Sequence, residues 1–128
     1  MVRAWMFGAV ALLSFVSRAE SASIDCTQCE TWNKDQAPFK IFGSTYFVGP
    51  HGLSSVLIRS PDGLVLIDGA LPQSAPLIAR NIEQLGFKMS DIKLILISHV
   101  HFDHVGGVAE LQRLSGAKVT SAPHTAWS

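Results

Sequence analysis

The chain has 128 residues, enough for one small domain with its own core. Ten Lys and Arg balance ten Asp and Glu, so no excess of either charge points to nucleic acid or to an anionic membrane surface as partner. Hydrophobic residues make up 48% of the chain, which excludes a disordered polymer and suits a soluble globular fold.

The N-terminal stretch stands apart from that fold. Arg3 precedes an apolar run over residues 4–16, broken only by Gly8 and Ser14, and the small residues Ser17, Ala19, Ser21, Ala22 and Ser23 follow. This order predicts a secretory signal peptide over residues 1–23. A membrane-spanning helix needs about 20 apolar residues, and Arg18 and Glu20 come too soon for one. We therefore expect export to a periplasm or the exterior, no stable membrane anchor, and cleavage after Ala19, Ser21 or Ser23.

Residues 24–38 are polar apart from a few side chains such as Trp32, and predict an irregular arm laid on the domain. Cys26 and Cys29 are the only cysteines. No second pair completes a four-thiolate zinc site and no strand precedes them as in a redox motif, so a local disulfide without catalytic role is expected. Phe39-Lys40-Ile41-Phe42 and Thr45-Tyr46-Phe47-Val48 flank Gly43-Ser44, a hairpin signal. Ser55-Val56-Leu57-Ile58-Arg59 and Leu64-Val65-Leu66-Ile67 flank the turn residues Pro61-Asp62-Gly63, so the domain opens as a β-meander. Ser54 and Ser55 read as structural.

The period then changes. Ser74 can cap a helix with Pro76 in its first turn, Leu77, Ile78, Ile82 and Leu85 on one face, and Gly86 at its end. Leu94-Ile95-Leu96-Ile97 is a continuous apolar run, predicting a strand buried on both faces. Val108, Leu111 and Leu114 then mark a second amphipathic helix closed by Ser115-Gly116, and Lys118-Val119-Thr120-Ser121 begins another strand. A meander followed by β-α-β-α-β predicts an α/β domain, a sheet covered by helices.

Between that apolar strand and the second helix lies Ser98-His99-Val100-His101-Phe102-Asp103-His104-Val105-Gly106-Gly107. Imidazole and carboxylate are ligands that zinc accepts, and a loop leaving a buried strand can aim alternate side chains at one point. His99 and His101 can turn toward one ion while Asp103 and His104 face a neighbouring position. The spacing predicts a metal site, and two adjacent metals fit it.

The pattern His-x-His-x-Asp-His followed by Gly-Gly resembles the metal-binding motif of the metallo-β-lactamase-fold hydrolases. The surrounding text, Tyr46-Phe47-Val48-Gly49-Pro50-His51-Gly52-Leu53-Ser54-Ser55-Val56-Leu57-Ile58 and Leu66-Ile67-Asp68-Gly69-Ala70-Leu71-Pro72, is similar to the third subclass of metallo-β-lactamases. The resemblance covers about residues 38–122. It implies the N-terminal half of an αβ/βα sandwich, with residues 39–128 as the first half of the domain and one sheet face left for a partner half.

The resemblance further implies Zn2+, two ions in the complete enzyme. Residues matching His99 and His101 hold one ion, and those matching Asp103 and His104 hold the second. Each ion takes a further histidine from later in the chain, which Ser128 precedes, so an incomplete fragment is the expectation. The implied activity is hydrolysis of the β-lactam amide bond, an antibiotic-resistance function, with a metal-bound hydroxide as nucleophile and Asp103 as the catalytic group that orients the water or accepts its proton. The implied partner is a small β-lactam substrate. A lactonase, thioesterase or glyoxalase-type hydrolase on the same fold, or a zinc-binding fragment without activity, are the alternatives.

Asp68 matches the family's aspartate that braces the metal loop through hydrogen bonds. The family commonly has Gly-Gly-Leu-Pro after it. Here Ala70 stands at the second glycine, at a cost of about 1 kcal/mol if the position requires positive φ. His51 and His124 are lone histidines, which are ordinarily solvated or satisfied locally.

Overall fold

The structure, a computed structural model, describes residues 22–121. The signal peptide read over residues 1–23 falls outside them except for Ala22 and Ser23, and His124 also falls outside. Among the described residues no helix is long and apolar enough to cross a membrane.

Six strands form one sheet in sequence order: β1 (Phe39–Phe42), β2 (Thr45–Phe47), β3 (Val56–Ser60), β4 (Gly63–Ile67), β5 (Ile92–Ile97) and β6 (Lys118–Ser121). The first four pair antiparallel. Gly43, at φ +53°, makes the first of these turns in a conformation that an L side chain resists. The pairings β4·β5 and β5·β6 are parallel, and a parallel neighbour requires a crossover. Helix α2 (Ala75–Gln84) supplies the first, and the short α3 (Phe102–Val105) with α4 (Val108–Ser115) the second. Gly86 and Gly116, both at positive φ, end the long helices as their positions predict.

Both crossovers pack on the same side of the sheet. Leu57, Leu66 and Ile95 point from β3, β4 and β5 toward Ile78 and Ile82 of α2 and Leu111 of α4, and all six are fully buried. Each such side chain contributes about 1.5–3 kcal/mol of apolar burial. Val108 joins this core and Leu77 is buried as well, whereas Leu114, expected on the inner face of α4, is 40% exposed in its last turn.

The expectation that β5 is buried on both faces fails. Ile92 and Ile95 are buried, but Leu94 and Leu96 remain half-buried because no element among the described residues covers their side. Cross-strand pairing extends this open side as one row through Phe39, Phe47, Val56, Ile67, Leu96 and Thr120. The register also shifts between Leu64 and Val65, leaving Lys93 as an extra, exposed residue in β5. The strand therefore begins at Ile92, two positions before the apolar run.

The arm is less irregular than its composition suggests. It contains the one-turn helix α1 (Cys29–Trp32), and Cys26 and Cys29 form the local disulfide. Hydrogen bonds strap it along α2 and the turn before it: Ile24 pairs with Gln73, Arg80 meets Asp35 at 2.8 Å, and Asn81 Nδ2 donates to Gln36 O at 2.9 Å. Ser74 occupies the N-cap position of α2 but makes no side-chain cap bond. Its hydroxyl donates instead to Asn33 Oδ1 at 2.6 Å and accepts from Leu71 N at 3.2 Å.

Candidate metal centre

Strands β4 and β5 are parallel neighbours, so their carboxyl ends emerge side by side, the place where open α/β sheets commonly assemble binding groups. Asp68 follows β4, and Ser98 to His101 follow β5. The ladder runs one step past β4, with Asp68 N donating to Leu96 O at 3.0 Å. The His101 carbonyl accepts from His104 N at 2.9 Å and from Val105 N at 3.0 Å, and that turn directs His104 back toward Asp68.

Gly106 and Gly107 allow the loop to lie directly on residues 69–72. A Cβ on Gly107 would strike the carbonyl oxygens of Gly69 and Leu71, and one on Gly106 would strike Pro72. The close approach is held by Gly69 N donating to His104 O at 2.7 Å and Gly107 N donating to Ala70 O at 3.3 Å. The Gly-Gly of the motif is thus a packing requirement.

The four candidate ligands fall into two pairs. The His99 and His101 rings meet edge to face with centroids 4.1 Å apart, and both residues are exposed. His104 Nε2 lies 3.8 Å from Asp103 Oδ2, with both side chains partly buried. The pairs adjoin, the His99 and His104 centroids being 5.3 Å apart. Among the described residues no three His, Cys, Asp or Glu side chains converge on one point that could hold an ion. Three imidazoles and a carboxylate nevertheless fit zinc as a donor set. His51 is exposed, its backbone amide donating to Lys34 O at 3.0 Å in the contact between the arm and the loop after β2.

Asp68 ties this loop to the sheet. Its Oδ1 accepts from Ser98 N at 2.8 Å, its Oδ2 accepts from Ser98 Oγ, and Oδ2 also lies 2.9 Å from His104 Nδ1. A carboxylate facing Nδ1 keeps the ring proton on that nitrogen and leaves Nε2, the atom turned toward Asp103, as the free lone pair. Asp68 and Ala70 are the two non-glycine residues with positive φ among the described residues, at 62° and 54°. The position that glycine commonly holds in the family does require the left-handed region, so Ala70 carries a penalty of about 1–2 kcal/mol.

Two serines at this site have partners that their local sequence does not announce. Ser55 is fully buried, and its hydroxyl donates to Asp68 O at 2.8 Å. Ser98 donates twice to the Asp68 carboxylate. Ser98 stands beside the motif, a weak signal. Ser55, 13 positions from its partner, carries none beyond the fact that a buried hydroxyl must find an acceptor.

Comparison with known proteins places this geometry in a family. The profile of the metallo-beta-lactamase superfamily matches residues 48–126. The solved structure of MEM-A1, a subclass B3 metallo-beta-lactamase isolated from a soil metagenome library, is 67% identical with a TM-score of 0.67, over 69% of this chain and 33% of that one. The Rm3 metallo-beta-lactamase is 62% identical with a TM-score of 0.74, over 78% and 37% respectively. A hydroxyacylglutathione hydrolase of Rhodopseudomonas palustris (strain BisB5) is 44% identical over 70 residues, 55% of this chain and 26% of the relative. The chain thus spans about a third of the solved structures and about a quarter of that curated relative. With the profile covering the sheet's core strands and the whole histidine loop, the chain belongs to the metallo-beta-lactamase superfamily and resembles its subclass B3.

Proposed function

We propose that this chain carries the first part of the active site of a zinc-dependent β-lactam hydrolase. Members of its superfamily are hydrolases that generally bind zinc. The observation that carries the finer reading is the 67% and 62% identity to two metallo-beta-lactamases over 69% and 78% of this chain, against 44% over 55% of it to the hydroxyacylglutathione hydrolase.

In this reading His99 and His101 hold one zinc, and Asp103 and His104 the second. Bound there, zinc supplies Lewis acidity, bringing the pKa of water toward neutrality and polarising a carbonyl. The chain's own residues do the rest. Asp68 fixes the His104 ring so that Nε2 faces the Asp103 carboxylate. Asp103, the one carboxylate of the loop, orients the attacking water and takes its proton at Oδ, a proton that it then delivers to the lactam nitrogen as the C–N bond breaks.

Export belongs to the same proposal and rests on Arg3, the apolar run over residues 4–16 and the small residues after it. N-terminal sequencing of the mature protein tests it, since an intact Met1 terminus would overturn it.

Hydrolysis of a hydroxyacyl thioester of glutathione is the second reading, favoured by the curated relative. A carbapenem and such a thioester, each offered to the purified protein with added zinc and with a chelator control, separate the two. Chelator-sensitive loss of the carbapenem alone supports the proposal, and turnover of the thioester alone replaces it. Zinc binding without either turnover leaves a metal-binding fragment.

A further inference from the structure

We infer that Ser55 is a positioning residue for the His104 imidazole, acting through the backbone of Asp68. The inference rests on the reading of His104 as a metal ligand for its consequence, although its geometry stands without any metal.

Asp68 reaches the loop only because its backbone turns into the left-handed region, at φ +62°. That turn points its carbonyl into the interior, where Ser55, fully buried, donates to it at 2.8 Å. Asp68 itself is 5% exposed, so water offers no ready substitute. With the backbone held on that side by Ser55 Oγ and on the other by its own amide bond to Leu96 O, the side chain leaves in one direction. It there receives Ser98 N, Ser98 Oγ and His104 Nδ1.

Removing the Ser55 hydroxyl leaves the carbonyl without that donor and frees the residue to return to the extended region its side chain prefers. The carboxylate then withdraws from Nδ1. The imidazole loses both its fixed proton and its fixed orientation, while no atom of the four candidate ligands has been altered. Ser55 therefore governs which nitrogen of His104 is free, across two hydrogen bonds with Asp68 between them, from the mouth of β3.

The test compares the unaltered chain with Ser55→Ala and with Ile82→Val, which loosens the core away from this network. In the zinc-free chain, long-range 1H–15N correlation reports the His104 tautomer. The expected result is a protected Nδ1 proton in the parent and in Ile82→Val, and a mixed, rapidly exchanging tautomer in Ser55→Ala. Zinc competition then reads the consequence, with affinity about tenfold lower in Ser55→Ala, the range seen when partners of ligating histidines are lost.

An unchanged His104 signal in a folded Ser55→Ala would overturn the inference, as would a change equal to that of Ile82→Val. Should Ser55→Ala not fold, Ser55→Cys, with a weaker donor at similar volume, carries the same comparison. A parent that shows the protected proton yet binds no zinc counts against the metal centre and leaves the positioning role standing.

Discussion

The two halves of the histidine loop are built differently. His104 is half-buried, and its Nδ1 rests against an aspartate that also receives the backbone and hydroxyl of Ser98. His99 and His101 are exposed, their rings meet each other, and His99 also adjoins the ring of His104. One half has its orientation before any ion arrives. The other is two exposed rings on a loop, whose final directions, in the proposed reading, an ion would select at the cost of their side-chain freedom. A site assembled this way separates folding from binding, because residues that matter most to one matter least to the other.

That separation is sharpest at His101. Replacing it with Ala removes an exposed ring, so zinc affinity should fall by more than the roughly 10–100-fold that attaches to outer partners. The unfolding free energy should stay within about 0.5 kcal/mol. Isothermal titration and denaturant unfolding on one preparation read both, and a large loss of stability would erase the distinction between the halves.

Asp68→Asn probes the other half. It places an amide NH2 among three donors inside a site that is 5% exposed, and should cost about 2–3 kcal/mol in denaturant unfolding even without zinc. A stability equal to the parent's would mean that the node is not preorganised. Gly107→Ala should come next, at about 1–3 kcal/mol, since the new Cβ meets the carbonyls of Gly69 and Leu71, backbone that cannot swing aside. Full stability in that variant would show that the loop and residues 69–72 are not in contact.

The smallest effect lies outside both halves, on the outer face of α4. A side-chain hydrogen bond from Arg113, reinforced by its charge, holds the Glu110 carboxyl below the usual carboxylate range. A depressed folded-state pKa stabilises above the unfolded value and is lost as pH falls through the folded one. Glu110→Gln should therefore lower the melting temperature by at most a few degrees at neutral pH, and by less in acid. A larger shift, or one independent of pH, would show a role beyond this exposed pair.

Much of this molecule could be read along the chain because the relevant contacts are close in sequence. The periodicity of Leu77, Ile78 and Ile82 marks a helix face, and those residues are buried. The spacing of His99, His101, Asp103 and His104 marks a candidate ligand loop, and a single turn, with His104 N bonding to His101 O, sets them as two adjoining pairs. The same text misjudged β5, since an apolar run looks alike whether one face or both are covered. Which side the crossovers take is a property of the assembled sheet.

The donors around Asp68 were beyond local reading for a related reason. Ser98 and His104 lie 30 and 36 positions from it, Ser55 lies 13 away just before β3, and Ser74 turned from capping its own helix to meet Asn33, 41 positions back. Hydroxyls and carboxylates bond to whatever the fold brings within about 3 Å, and a serine has no periodicity to betray its partner. Residue type and spacing along this chain determined the strands, the long helices and the order of the candidate ligands. Only the packing of β3, β4 and β5 side by side decided which hydroxyls reach Asp68 and which nitrogen of His104 is left free.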